Sequence, residues 1–163
     1  MPASRQPNRV KSLSLIRPAW HQQRSPLNMN VYSVLSDYWQ LYGKEEGQRA
    51  FAESATYQSI EQQSPDNAHS LMKTFALPAE PTLHLLRRIA SCHPGYDARM
   101  IKDAQIPVAV AGTQMDVIHP LSTAQAMARE LAGKDATVTF TKSLDKTRHS
   151  SEVTALLVNN IEH

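Results

Sequence analysis

The chain has 163 residues, of which 41% are hydrophobic and 20% charged, with a formal net charge of +2. That length suits about one domain at roughly 150 residues each, and it can bury about two-thirds of the surface it exposes when unfolded. Wholesale disorder, collagen-like, mucin-like and heptad-dominated classes are excluded, and so small a net charge argues for neither a nucleic-acid nor a membrane partner.

Glycine is scarce, 5 residues in all, where the usual share is about 7%. Several Gly-rich catalytic or phosphate loops are therefore not expected. The single cysteine, Cys92, rules out an internal disulfide and reads as a structural thiol. No secretory signal is visible: Leu13 to Ile16 is short and broken by Ser14. No stretch approaches the ~20 apolar residues of a membrane span. A reducing cytoplasm is the expected compartment.

In chain order, residues 1–24 carry Arg5, Arg9, Lys11, Arg17 and Arg24 and no acid. They lack the aromatic interleaving of a nucleic-acid arm, and no nucleic acid is expected as a partner. Val10–Ile16 reads as a strand stopped by Pro18, which forbids helix in the residue before it and ends a ladder.

About His21–Gln105 is helical in pattern. Val31, Val34, Leu35, Tyr38 and Leu41 fall at helical spacing, with Asn28 or Asn30 as the cap. Glu45–Gln63 predicts a second, polar and solvent-facing helix. Pro65 opens a third, capped by Ser64 and running toward Phe75. Pro78 and Pro81 interrupt the pattern. A fourth helix carries Leu83, Leu86, Ile89 and Ala90 and stops before Pro94–Gly95.

The remainder is the most regular part. Ile106, Val108 and Val110 belong to a nearly continuous apolar run ending at Gly112, as in a parallel strand buried on both faces. Pro120 to Ala132 predicts a helix with Leu121, Ala124, Met127, Ala128 and Leu131 on one face, stopped by Gly133. Ala136–Thr141 alternates strictly, as a strand at a sheet's edge does. Ser150–Ile161 closes the chain as a helix showing Val153, Leu156, Leu157 and Ile161. Strand–helix–strand–helix is a βαβ unit that closes right-handed into a parallel sheet. The fold class is α/β, with about three parallel strands, flanking helices and a helical insertion. The parts are 1–20, 21–105 and 106–163.

Ligands of open α/β sheets sit past the carboxyl ends of the strands. Those loops hold Arg17, Trp20 and His21; then Gly112, Gln114, Asp116 and His119; then Asp145, Lys146, Arg148 and His149. Asp116 followed by His149 gives acid before histidine: the carboxylate would orient the imidazole, and the imidazole would take a proton from a nucleophile. Two ordinary loop residues would show the same spacing. Trp20 and His21 are the candidate substrate contacts; Trp39 and Tyr38 read as core. Neither paired helical histidines nor a Cys/His cluster appears, so no metal is expected, and the absence of G-x-G-x-x-G and G-x-x-x-x-G-K argues against a nucleotide cofactor.

Ile106-Pro-Val-Ala-Val-Ala-Gly-Thr-Gln-Met-Asp116-Val-Ile-His-Pro120 resembles the late strand and acid loop of α/β-hydrolases. Thr141–Glu152, with His149 just before the last helix, is similar to that family's histidine loop. Arg9-Val-Lys-Ser-Leu-Ser-Leu-Ile-Arg-Pro-Ala-Trp20 resembles the strand that enters its cap, and 21–105 matches a cap in position. The resemblance implies a partial α/β-hydrolase fold, a serine-type hydrolase with no cofactor, Asp116 and His149 as catalytic residues, and a small ester- or amide-like substrate. The family's G-x-S-x-G nucleophile turn is missing, as is its Gly-rich oxyanion loop. Ser143, Ser150 and Ser151 lack such a turn and do not replace it. The resemblance thus implies a chain that is truncated at its N-terminus and inactive alone. The alternative is a non-catalytic binding or oligomerisation module. A strand left without its neighbour presents an open edge, through which a homo-oligomer could form.

Overall fold

The computed structural model describes residues 5–92 and 95–162. Among them lie three parallel strands, β1 (Leu13–Ile16), β2 (Val108–Thr113) and β3 (Thr137–Thr139), in the order β1-β2-β3. Leu13 pairs with Val108 and Ala111 with Thr137, so β2 is central and β3 forms an edge. The described residues also form eight α-helices: α1 (Asn30–Tyr42), α2 (Lys44–Ala52), α3 (Ala55–Gln63), α4 (Pro65–Thr74), α5 (Ala79–Ser91), α6 (Ala98–Asp103), α7 (Leu121–Ala132) and α8 (Lys146–Ile161). The fold is α/β. No helix among the described residues is long and apolar enough to cross a membrane.

The chain divides into two compact units: 1–22, 94–114 and 119–163 in one, 23–93 and 115–118 in the other. In the sheet unit, Ile101, Ile106, Val108 and Val110 pack with Ala124, Met127, Ala128 and Leu131, the helix face expected for α7. Leu13 and Leu15 lean on the same cluster. Ile101 brings α6 into this unit, so the helical insertion is shorter than the 21–105 stretch of the sequence. Gly112 lets α7 approach β2: a Cβ there would lie 2.7 Å from Leu121 Cδ1 and 2.8 Å from Ala124 Cβ. Gly133, at φ 64°, ends α7 in the left-handed conformation that glycine adopts without strain.

The helical unit is built on rings. Trp39 lies 4.9 Å from Phe75, and Phe51 lies 5.6 Å from Tyr57 and 6.1 Å from Phe75, centroid to centroid. Phe51, Phe75, Leu35, Leu71 and Met29 are essentially sealed from solvent. Gly47 admits the close crossing of α1 and α2: a Cβ there would lie 2.7 Å from Tyr38 O and 2.9 Å from Trp39 Cα.

Several local expectations change. The polar stretch 45–63 is two helices, broken where the Ser54 hydroxyl accepts from Tyr57 N and starts α3. Its sparse apolar residues, Phe51, Tyr57 and Ile60, are core rather than solvent-facing. Pro81 does not interrupt α5; it sits in the first turn, where its missing N–H costs little. The alternation of 136–141 overestimates β3, which spans only Thr137–Thr139, and Val138 stays 49% exposed while Thr139 is buried. The Thr139 hydroxyl can be buried because it donates to Gly112 O at 3.2 Å.

Candidate functional site

Past β3 the chain builds one histidine into a fixed orientation. Asp145 caps α8 by accepting from Arg148 N at 2.9 Å, so the helix starts at Lys146 and His149 lies in its first turn rather than before it. His149 is 7% exposed. Its Nδ1 lies 2.9 Å from Phe140 O and 3.3 Å from Thr139 Oγ1. A carbonyl can only accept, so Nδ1 carries the proton and donates it. Thr113 Oγ1 donates to the same carbonyl at 3.1 Å. Nε2 is then the atom with a free lone pair, and it has no hydrogen-bond partner among the described residues.

Glu152 and Arg148 hold the other side of Phe140. Glu152 Oε2 accepts from Phe140 N at 2.6 Å and Oε1 from Arg148 Nε at 3.0 Å, while Arg148 lies 4.2 Å over the Phe140 ring. The Phe140 N–H and then the Arg148 bond keep the Glu152 carboxyl below its ordinary value, with smaller help from the Arg148 and His149 charges. Sequence reasoning missed Glu152 and Phe140. The i, i+4 spacing of Arg148 and Glu152 was a signal for that pair; nothing in the spacing marks Phe140 as the histidine's acceptor.

His149 borders a cleft of about 480 Å³ with Ile16, Arg17, His119, Lys142, Ser150 and Val153. It opens at the carboxyl ends of β1 and β3, where α/β sheets hold ligands. Arg17 adopts φ 51° directly after β1, a left-handed conformation in a residue that is not glycine. Such strain gathers at functional turns, and here it also follows from a chain that has few glycines.

The acid loop belongs to the helical unit, and three of that unit's side chains hold it. Ser64 Oγ donates to Met115 O, Asn28 Nδ2 donates to Ile118 O at 2.6 Å, and Ile118 N donates to Asn67 Oδ1 at 3.0 Å. Asp116 is buried between these anchors in sequence. Ser64 is the N-cap of α4 as expected, but its hydroxyl donates to Met115 O and makes no cap bond. Neither Asn28 nor Asn30 caps α1: Met29 holds the cap position, Asn30 is the first helical residue, and the Asn28 amide donates to Ile118 O.

Trp20 and His21 follow β1. Trp20 is half-buried, and its buried Nε1 has no acceptor among the described residues. His21 Nε2 lies 2.9 Å from Glu130 Oε2 on α7, which also accepts from Tyr96 Oη at 2.6 Å, while Gln22 donates to Oε1 at 2.6 Å. Burial alone would raise the Glu130 carboxyl. The bonds from Tyr96, Gln22 and His21, together with the His21 charge, outweigh it and hold the carboxyl below its ordinary value. Burial, then the bond to Glu130, pushes the Tyr96 hydroxyl well up. This cluster ties the loop after β1 and the approach to α6 onto α7. Among the described residues no group of three or more His, Cys, Asp or Glu could hold a metal ion.

No protein-family model matches the chain, and no curated protein or solved structure matches it either.

Proposed function

We propose that the chain is the late part of a serine-type α/β-hydrolase fold, with His149 as general base and Asp116 as the carboxylate that stabilises its protonated form. The observation that carries this is the ring of His149: buried, held in the Nδ1–H tautomer by Phe140 O, and bordering a cleft at the strands' carboxyl ends with Nε2 unengaged. A general base needs that tautomer, because its lone pair must face the proton it removes. The substrate class is a small ester or amide. Trp20, whose indole N–H lacks an acceptor among the described residues, is the better of the two substrate contacts, since His21 is engaged by Glu130. The sequence has no G-x-S-x-G turn, so the nucleophile comes from another segment and this chain alone is inert toward esters. The expected setting is a reducing cytoplasm.

The test is ¹⁵N NMR of the His149 ring, with a fluorophosphonate probe beside it. Nδ1–H is the expected neutral tautomer. An Nε2–H tautomer overturns the proposal. The probe labels no serine of the chain alone; labelling of Ser150 overturns the reading that the nucleophile lies elsewhere.

A second reading, a binding module without catalysis, is favoured by one observation: β1 ends the sheet with no strand on its other side among the described residues.

A further inference from the structure

The open side of β1 is a docking edge with a readable preference. Leu13 N donates to Pro107 O at 2.9 Å and Arg17 N to Ala111 O at 2.8 Å, so the odd positions of β1 turn their backbone groups to β2. Alternation turns the N–H and C=O of Ser14 and Ile16 the other way, where no strand among the described residues meets them. A strand inside a parallel sheet is buried on both faces, yet all four residues of β1 are only half-buried.

The helix over this strand is equally unfinished. Asn160 Nδ2 fastens α8 to β1 by donating to Ser14 Oγ at 2.8 Å and Leu13 O at 3.1 Å. Val153 and Leu157 stay half-buried, and Ile161 is 73% exposed. An apolar strand beside β1 would satisfy the backbone edge and shield this stripe together.

Charge decides which strand. The chain from Arg5 to Arg24 carries Arg5, Arg9, Lys11, Arg17 and Arg24 with no acidic residue. A second copy laid antiparallel on this edge sets one all-basic segment against another, and the register that pairs Ser14 with Ser14 places Lys11 opposite Arg17 twice. Like charges across a strand pair are destabilising, and lysine on an edge is a common guard against self-pairing.

We propose that the β1 edge takes a strand from a different polypeptide, an apolar segment flanked by acidic side chains, and rejects a second copy of this chain. The proposal stands whether or not His149 is a base.

Native mass spectrometry and fluorescence anisotropy on the full chain test it. The chain alone is a monomer. A labelled Val/Ile heptapeptide with Asp and Glu ends binds at least about tenfold more tightly than the same core with Lys ends, and added salt narrows the ratio. Ser14→Pro removes one outward N–H and the Ser14 Oγ that Asn160 bonds, leaves the bonds to β2 and the Asn160 bond to Leu13 O in place, and abolishes binding of both peptides; circular dichroism reports whether it folds. Lys11→Glu, on the surface, narrows the ratio by about threefold whatever the outcome for Ser14→Pro. A stable dimer of the chain, equal affinities for the two peptides, or binding of neither overturns the proposal.

Discussion

The helical unit and the sheet unit bury their residues by different means. The helical unit closes around rings: Trp39, Phe51, Tyr57 and Phe75 touch one another, and Phe51 and Phe75 have no exposed surface. The sheet unit's buried core is packed with side chains that carry no rings, such as Ile101, Val108, Val110, Ala124 and Met127, and leaves β1 and the apolar side of α8 half-open. Large rings finish a core inside a few helices. A three-stranded parallel sheet cannot cover its own end strand, so part of its apolar surface stays open.

The largest expected effect breaks the closed unit. Phe51→Ala leaves a cavity among three rings and costs about 3–5 kcal/mol in urea unfolding. Native hydrogen exchange then shows α1 and α4, slowest in the parent chain, falling to the rate of β1. If the β1 amides are already the slowest, the contrast between the units is wrong.

Parallel glycine substitutions sharpen the contrast. Gly47→Ala drives a methyl into the backbone of α1, Tyr38 O and Trp39 Cα, and costs about 2–3 kcal/mol. Gly112→Ala meets only the Leu121 and Ala124 side chains, which can shift, and costs about 1–2 kcal/mol. Urea midpoints of the two variants rank them; the reverse order contradicts the picture of a tight helical unit and a looser sheet unit.

The Glu130 cluster is expected to matter less. Glu130→Ala removes the acceptor of three donors at a partly exposed site and costs about 1–2 kcal/mol. Folded Glu130 binds its proton more weakly than the unfolded chain does, since its carboxyl is held low. Its contribution is therefore complete above the ordinary carboxylate value and is lost as pH falls through the lower folded value. Thermal unfolding from pH 7 downward shows this acid loss, and Glu130→Gln flattens it. Smallest is Arg148→Ala, about 0.5 kcal/mol, because the pair with Glu152 and the contact with Phe140 lie on the surface. It leaves the His149 tautomer unchanged, a point the same NMR spectrum checks.

Legibility in the sequence followed apolar density. The runs of β2 and α7 were plain because both elements bury one continuous face. Phe51 was hidden because a single ring in a polar stretch has no periodicity to show. Asn28 was misread, and the Ser64 hydroxyl leaves its own cap unbonded, for a sharper reason: a side chain that could cap a helix could equally bond a distant loop, and local sequence does not settle that choice. His149 was marked as a candidate by its place after a strand, but the carbonyl that sets its tautomer comes from the chain's return through Phe140.

By itself the sequence determined the class of the fold and the parallel direction of its strands, since hydrophobic period and the βαβ crossover are properties of the chain alone. Only the tertiary structure decided what the polar residues do: Ser64 and Asn28 on the acid loop, His21 on Glu130, Phe140 O on His149. Hydrogen bonds are short and directional, so their partners are fixed by which atoms the packed elements bring within about 3 Å, and that distance is not written in the spacing of residues.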